Sequence, residues 1–188
     1  CASRNDSASG AQVIDGSLRF NKDEEQYLTR TPSSAGNQTT WTFSVWVKRS
    51  RLASGGAADD IDPIFCAGNS GSASTDFEFM KDTSDNENRI WWINWDGGST
   101  YFSLETNARY RDINGWYHMV GSYDGTTAKI YVNGSQVTSW AVNTQNGGTS
   151  KINSTSAHSI GCFGQGSIAW FGGSMAQFYN IDGLALGP

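Results

Sequence analysis

The chain has 188 residues and a formal net charge of −5, with an isoelectric point near 4.9. Its scattered basic residues argue against a nucleic-acid partner, because contacts to a phosphate backbone need clustered lysine and arginine. No run approaches the roughly 20 apolar residues of a membrane-spanning helix, so we expect no membrane insertion. The 8 tryptophans and 22 glycines, set against only 3 prolines, are typical of strands and turns.

The domain boundary is predicted near the start of the chain. Residues 1–12 are small, polar and without periodicity, which favours a flexible N-terminal arm or linker remnant. Residues 13–188 are expected to form one domain. Cys66 and Cys162 lie in apolar, strand-like runs and are expected to be buried thiols. A disulfide between them stays open as an alternative, and it would imply an oxidising compartment.

Alternating apolar and polar residues predict short strands along the whole chain. The clearest strand covers residues 40–48, where Trp41, Phe43, Val45 and Val47 share one face. The other predicted strands are residues 17–20, 27–28, 64–67, 77–80, 89–95, 101–104, 116–123, 128–132, 159–163 and 175–181.

Turn residues separate these strands. Asp124-Gly125 and Asn133-Gly134 tolerate the positive φ angles of tight hairpins and predict a three-strand meander over about residues 116–140. No segment of ten or more residues has helical periodicity. The pattern leaves room only for a short helical turn near residues 109–114 or 184–186. About twelve short strands predict an all-β fold, a two-sheet antiparallel β-sandwich.

Three groups of segments carry a family resemblance. They are Ser17-Leu18-Arg19-Phe20 with Trp41-Thr42-Phe43-Ser44-Val45-Trp46, Gly115-Trp116-Tyr117-His118 with Lys129-Ile130-Tyr131-Val132-Asn133-Gly134, and His158-Ser159-Ile160-Gly161 with Phe171-Gly172-Gly173-Ser174-Met175. In this order they resemble the laminin-G-like, concanavalin A-like lectin/glucanase superfamily over about residues 16–187. The resemblance implies a jelly roll with its first and last segments side by side.

A narrower resemblance comes from two short segments. Tyr-Leu-Thr-Arg-Thr-Pro at residues 27–32 and Tyr-Asn-Ile-Asp-Gly-Leu-Ala-Leu at residues 179–186 are similar to modules of tailed-phage structural proteins. This resemblance implies a component of a virion.

Catalysis is not expected. The enzymatic branch of the superfamily uses paired carboxylates that face one cleft from a single strand. Here Asp76-Phe77-Glu78 supplies one pair but no third acidic residue two or three positions on, so it departs from that pattern. His118 and His158 are expected to be structural, and Cys162 has no neighbouring base.

The run at residues 89–95 is the main candidate for binding. Alternation directs Ile90 and Trp92 to the core and leaves Trp91, Ile93 and Trp95 on the other face, which is too apolar for an ordinary solvated surface. Coverage by loops, a carbohydrate groove and a protein interface all remain open. The predicted ligand or interface residues are Trp91, Trp95, Asp96, Trp140 and Trp170.

Charged loops suggest one further site. Asp59, Asp60 and Asp62 lie together, and carboxylate oxygens suit calcium, so a structural calcium is left open although no cofactor is required. The basic run at residues 48–51 is expected to be a solvated strand end.

These observations favour a non-catalytic structural or binding module on the exterior of a virion, as a capsid decoration or fibre component. Its expected partners are other virion proteins or copies of itself, with host glycans as a further ligand. The alternative is a secreted or surface-anchored carbohydrate-binding lectin domain, and a glycoside hydrolase is the least favoured hypothesis.

Overall fold

The computed structural model describes residues 16–52, 61–69, 72–80, 88–164 and 168–188. This part of the chain contains strands and turns but no helix, and residues 109–114 and 184–186 are both non-helical. No membrane-crossing helix is found within these ranges.

Fifteen strands are described. The first eight are β1 (Leu18–Phe20), β2 (Leu28–Arg30), β3 (Trp41–Arg49), β4 (Asp62–Asn69), β5 (Ala73–Met80), β6 (Arg89–Trp95), β7 (Thr100–Thr106) and β8 (Tyr117–Tyr123). The others are β9 (Ala128–Val132), β10 (Ser135–Gln136), β11 (Trp140–Gln145), β12 (His158–Ile160), β13 (Cys162–Phe163), β14 (Ala169–Trp170) and β15 (Gly173–Asp182).

The strands form two large antiparallel sheets, which confirms the predicted sandwich. The six-stranded sheet has the order β1-β15-β3-β8-β9-β10, and the seven-stranded sheet has the order β11-β7-β6-β5-β4-β12-β2. A small ladder joins β13 and β14. Strand β1 pairs with β15, so the first and last strands are neighbours, as the family resemblance implies.

Aromatic side chains from both sheets form the core. Trp41 and Phe43 of β3 are completely buried. The Phe43 ring centroid lies 4.7 Å from that of Phe77 and 5.9 Å from that of Trp92, both in the opposite sheet. Trp41 makes an edge contact with Trp92 at 5.5 Å. Burial of such large rings is the main favourable contribution to folding of a sandwich.

The predicted meander is correct only in part. Asn133 and Gly134 have φ values of 50° and 80°, as the tight turn between β9 and β10 requires. Strand β10 contains only two residues, however, and Trp140 begins β11, which pairs with β7 in the opposite sheet. The chain therefore crosses between the sheets before the predicted end of the meander.

The basic run at residues 48–51 is not a fully solvated strand end, so this prediction was wrong. Arg49 is 1% exposed and donates hydrogen bonds of 2.8 Å to Asp62 Oδ2 and to the Tyr110 carbonyl oxygen. Its guanidinium carbon lies 4.2 Å from the centre of the Phe79 ring. A buried cation needs such partners, because desolvation of an unpaired charge costs several kcal/mol or more.

Gly121 tests the packing between strands of the six-stranded sheet. It lies opposite Phe43, and a methyl group at this position would overlap the Phe43 ring. We expect Gly121→Ala to lower the free energy of unfolding by about 1–3 kcal/mol, the usual cost of overpacking a core. Chemical denaturation measures this loss. Gly16→Ala is the control, because nothing lies within 4 Å of the added methyl; equal stability of the two variants would contradict the packing.

Candidate ligand-binding face

One face of β6 points away from the core. Burial alternates along the strand, with Ile90 and Trp92 buried and Trp91, Ile93 and Trp95 half-buried. This is the alternation that the sequence predicts. We call the surface formed by the second set and its cross-strand neighbours the outer face.

The strand register places carboxylates next to these apolar residues. On β5, Glu78 lies opposite Trp91, Asp76 lies opposite Ile93, and Ser74 lies opposite Trp95. The outer face therefore combines aromatic rings with acidic groups on two adjacent strands.

On the other side of β6, strand β7 holds the Trp91 indole in place. Trp91 Nε1 donates a 3.0 Å hydrogen bond to Ser103 Oγ. Glu105, the partner of Trp91 in the ladder, accepts a 2.7 Å bond from Arg89. The Ser103 bond limits the rotation of the Trp91 ring before any ligand arrives.

A small cavity of about 150 Å³ opens on the outer face. Its walls are Ser74, Asp76 and Glu78 of β5, Trp91, Ile93 and Trp95 of β6, and Phe163 of β13. We call it the outer cavity. It brings together two of the five residues predicted from sequence for the ligand or interface, Trp91 and Trp95.

The two carboxyl groups of the outer cavity are deeply buried. Asp76 is 4% exposed and Glu78 is 1% exposed. Burial raises the pKa of Asp76 to about 7, although hydrogen bonds from Ser74 and Cys66 act in the opposite direction. Burial, together with the charges of Asp76 and Asp62, raises the pKa of Glu78 well above its usual value. Within the part of the chain that the structure describes, Glu78 Oε2 has no hydrogen-bond partner.

Cys66 lies opposite Asp76, in the next strand of the sheet. Cys66 and Cys162 are both buried and no disulfide joins them, so the alternative of a disulfide between them is wrong in this structure. Burial and the neighbouring Asp76 and Glu78 raise the pKa of the Cys66 thiol well above its usual value. Such a thiol is a poor nucleophile at neutral pH.

Asp96 follows Trp95 and closes the turn into β7. Its Oδ1 accepts hydrogen bonds from the backbone N–H groups of Gly98 and Ser99 at 3.0 and 2.7 Å, and its Oδ2 accepts one from the Tyr101 hydroxyl at 2.6 Å. The Tyr101 bond is the main reason that the pKa of Asp96 falls to about 2. Asp96 therefore stabilises the rim beside Trp95.

The remaining two predicted tryptophans lie elsewhere. Trp140 is half-buried at the start of β11 and packs against the core. Trp170 belongs to β14, and its buried Nε1 has no hydrogen-bond partner among the described residues. Neither residue lines the outer cavity.

The residues of the predicted calcium site have different environments. Asp62 is completely buried, and its two oxygens contact Arg49 at 2.8 Å and Arg51 at 3.2 Å. Asp59 and Asp60 lie outside the described residues. Within the described ranges, no group of three or more His, Cys, Asp or Glu residues is placed to hold a metal ion. The calcium site stays a prediction.

A second, larger cavity was not predicted from the sequence. It measures about 690 Å³ and lies between β2 and β15, at the side of the sandwich. We call it the side groove. Its apolar walls include Phe65, Ile160 and Phe178, and its polar walls include Asn153, His158, Asn180 and Asp182.

The polar groups of the side groove are bonded to one another. Asn180 Nδ2 donates to Asn153 Oδ1 at 2.7 Å, and Asn153 Nδ2 donates to Asp182 Oδ1 at 3.1 Å. The Asn153 backbone N–H donates to His158 Nε2 at 2.9 Å. The network ties the two sheets together at this edge, so its hydrogen-bonding capacity is largely used within the protein.

Fold and sequence together define the class of the protein, a two-sheet jelly-roll domain. The sequence matches the Laminin_G_3 family, described as Concanavalin A-like lectin/glucanases superfamily, over residues 22–182. The chain belongs to this family. A search of curated protein sequences finds no match.

Solved structures share the fold at low sequence identity. Domain 4 of AbnA, a GH43 extracellular arabinanase from Geobacillus stearothermophilus, is 12% identical with a TM-score of 0.58; the match covers 80% of this chain and 64% of that one, less than two thirds. Domains LG4-5 of the mouse laminin alpha1 chain are 9% identical with a TM-score of 0.61, covering 94% and 48%. The CBM40 of Ruminococcus gnavus IT-sialidase is 16% identical with a TM-score of 0.53, covering 82% and 91%.

The buried carboxyl of Asp76 predicts a loss of stability as the pH rises. Its pKa is raised from 3.8 to about 7, so the folded state holds a proton that the unfolded chain has already released. The stabilisation is complete below about pH 4 and is lost as the pH rises through the folded-state value. We expect wild type to lose roughly 2–3 kcal/mol relative to Asp76→Asn between pH 5 and pH 8.

Urea denaturation of both proteins at the two pH values measures this difference. The comparison with Asp76→Asn cancels the opposite contributions of His118 and His158, since burial lowers the pKa of both. Parallel pH profiles for wild type and variant would show that Asp76 does not titrate in this way.

Proposed function

We propose that this domain is a non-catalytic carbohydrate-binding module whose ligand lies on the outer face. The proposal depends on one observation. Trp91 and Trp95 stand on the side of the sheet away from the core, on either side of Ile93. They border a cavity that is lined by Glu78, whose Oε2 has no hydrogen-bond partner among the described residues.

The chemistry of the outer face suits a saccharide. Flat aromatic rings bind the apolar C–H faces of sugar rings, while a few well-placed polar groups satisfy the hydroxyls. Two similar structures support the proposal, since the arabinanase domain is in complex with arabinotriose and the Ruminococcus gnavus CBM40 has also been solved bound to alpha2,3 sialyllactose.

The protonation of the cavity argues against hydrolysis. Glycosidases that use paired carboxyls need one group protonated and the other ionised, as general base or nucleophile. Burial raises the pKa of Asp76 to about 7 and that of Glu78 well above its usual value. Neither group is therefore a dependable carboxylate near neutral pH, and the pair suits binding better than catalysis.

The side groove is the weaker candidate despite its size. Its amide and carboxylate groups already bond to one another across the gap between the sheets. A ligand would have to replace these bonds, whereas Glu78 Oε2 on the outer face has none to lose.

Removal of one aromatic ring tests the binding face. Trp91→Ala is expected to weaken binding of an oligosaccharide found on a glycan array by about 30-fold, which corresponds to roughly 2 kcal/mol for loss of a central aromatic anchor. Isothermal titration calorimetry measures the change. Trp46→Ala is the matched control, because Trp46 is half-buried on the six-stranded sheet, where it stacks on His118. Equal losses in both variants would contradict this location.

We further propose that the domain belongs to the exterior of a tailed-phage virion, as a capsid decoration or fibre component. The support is the phage-like sequence at residues 27–32 and 179–186. Both segments carry exposed apolar side chains, with Leu28 at 46%, Tyr179 at 59% and Leu184 at 54% exposure. Exposed apolar residues of this size suit contacts with neighbouring virion proteins or with further copies of the chain.

Mass spectrometry of purified particles tests the virion proposal. We expect peptides of this chain in the particles and density for a β-sandwich on their surface by cryo-electron microscopy. Absence from the particles, together with recovery of the protein from the medium or cell surface, would favour the alternative of a secreted or surface-anchored lectin.

A further inference from the structure

The outer cavity has an unusual wall composition for a neutral sugar. Three aromatic residues, Trp91, Trp95 and Phe163, share it with two carboxyl groups. Aromatic faces attract cations through the negative charge of their π-systems, and carboxylates do so directly. The combination favours a ligand group with positive charge and several N–H donors.

Glu78 supplies the second, independent observation. It is 1% exposed and lines the cavity, yet Oε2 has no partner. A buried polar atom without a hydrogen bond is energetically costly, so such atoms are rare in folded proteins unless they have a function. Asp76 differs, because Ser74 Oγ donates a hydrogen bond to it.

The nearby arginines have other carboxylate partners. Arg89 bonds to Glu105 at 2.7 Å, at the end of β6. Arg49 and Arg51 both contact Asp62. The two carboxyls of the outer cavity are thus not matched by these guanidinium groups.

The size of the outer cavity limits what can enter it. At about 150 Å³ it is well below the 300–1,000 Å³ of sites that enclose a whole drug-sized ligand. A single substituent fits, while the rest of the ligand lies on the tryptophan surface outside. An ammonium group is small and offers three donors. Its positive charge also favours the ionised form of the two carboxyls, which burial alone disfavours.

We infer that the ligand is a glycan with a free, non-acetylated amine, whose ammonium group enters the outer cavity and donates to Glu78 and Asp76. This inference rests on the proposed function and names the class of sugar that the same face selects. N-acetylation removes the positive charge and adds bulk, so an acetylated amino sugar lacks both features that the cavity matches.

Three tetrasaccharides that differ at one substituent test the inference by calorimetry at one pH near neutrality. They are the glucosamine tetramer, the N-acetylglucosamine tetramer and cellotetraose. We expect wild type to bind the glucosamine tetramer at least tenfold more tightly than the other two. This comparison needs no mutation, so it stands even where a variant folds poorly.

Two substitutions test whether Glu78 causes the preference for the glucosamine tetramer. Glu78→Gln keeps the shape of the side chain but cannot ionise when an ammonium group enters, and we expect it to reduce the preference for the amine to less than threefold while affinity for cellotetraose changes little. Glu24→Gln makes the same change in an exposed turn that does not line the cavity, and it should keep the preference.

The outcomes separate this inference from the proposed function. Equal binding of all three tetrasaccharides to wild type, lost in Trp91→Ala, would overturn the amine inference and leave the carbohydrate-binding proposal intact. A preference that survives Glu78→Gln would also overturn it.

Failure of all three to bind would overturn the proposed function for these glycans, and methylammonium chloride then tests the cavity alone. If methylammonium raises the thermal stability of wild type but not of Glu78→Gln, the ammonium site is supported and only the assignment of a sugar ligand is rejected. No rise would reject both.

Discussion

Packing of aromatic rings between the two sheets determines which side chains remain for binding. Trp41 and Phe43 of one sheet enclose Trp92 of the other, with ring centroids 5.5 and 5.9 Å from it. Because side chains alternate along a strand, burial of Trp92 forces Trp91 to the opposite side. A shift of one residue in β6 would exchange the two sets and expose the core. The outer face is thus a consequence of core packing.

The buried ionisable groups include an ion pair and two carboxyls. The Arg49–Asp62 pair is fully desolvated, but the two charges offset each other and the Tyr110 carbonyl oxygen accepts a further hydrogen bond from Arg49, so the pair holds β3 against β4. Asp76 and Glu78 are also buried but form no ion pair within the described ranges, and burial raises the pKa of each. The first arrangement stabilises the fold. The second costs stability as the pH rises, and a cost of this kind is typical of functional sites.

Period-two patterns were sufficient to predict the sandwich, the buried face of β3 and the two faces of β6, because these depend on neighbours in the sequence. Such patterns do not predict contacts between residues that are far apart in the sequence. The charge of Arg49 suggested solvent, since nothing local shows that Asp62 and the Tyr110 carbonyl enclose it. The side groove was missed because Asn153 meets Asn37 and Asp182 only after folding. Trp140 and Trp170 were equally good candidates from the sequence, but neither residue lines the outer cavity after folding.

We propose that ligand contacts the outer face and leaves the inter-sheet core untouched. An NMR titration with an oligosaccharide that binds follows both regions at once through the indole N–H signals of the eight tryptophans. We expect large shifts for Trp91 and Trp95, and none for Trp41 and Trp92. Shifts confined to Trp46, Trp140 or Trp170, with Trp91 and Trp95 unchanged, would contradict it.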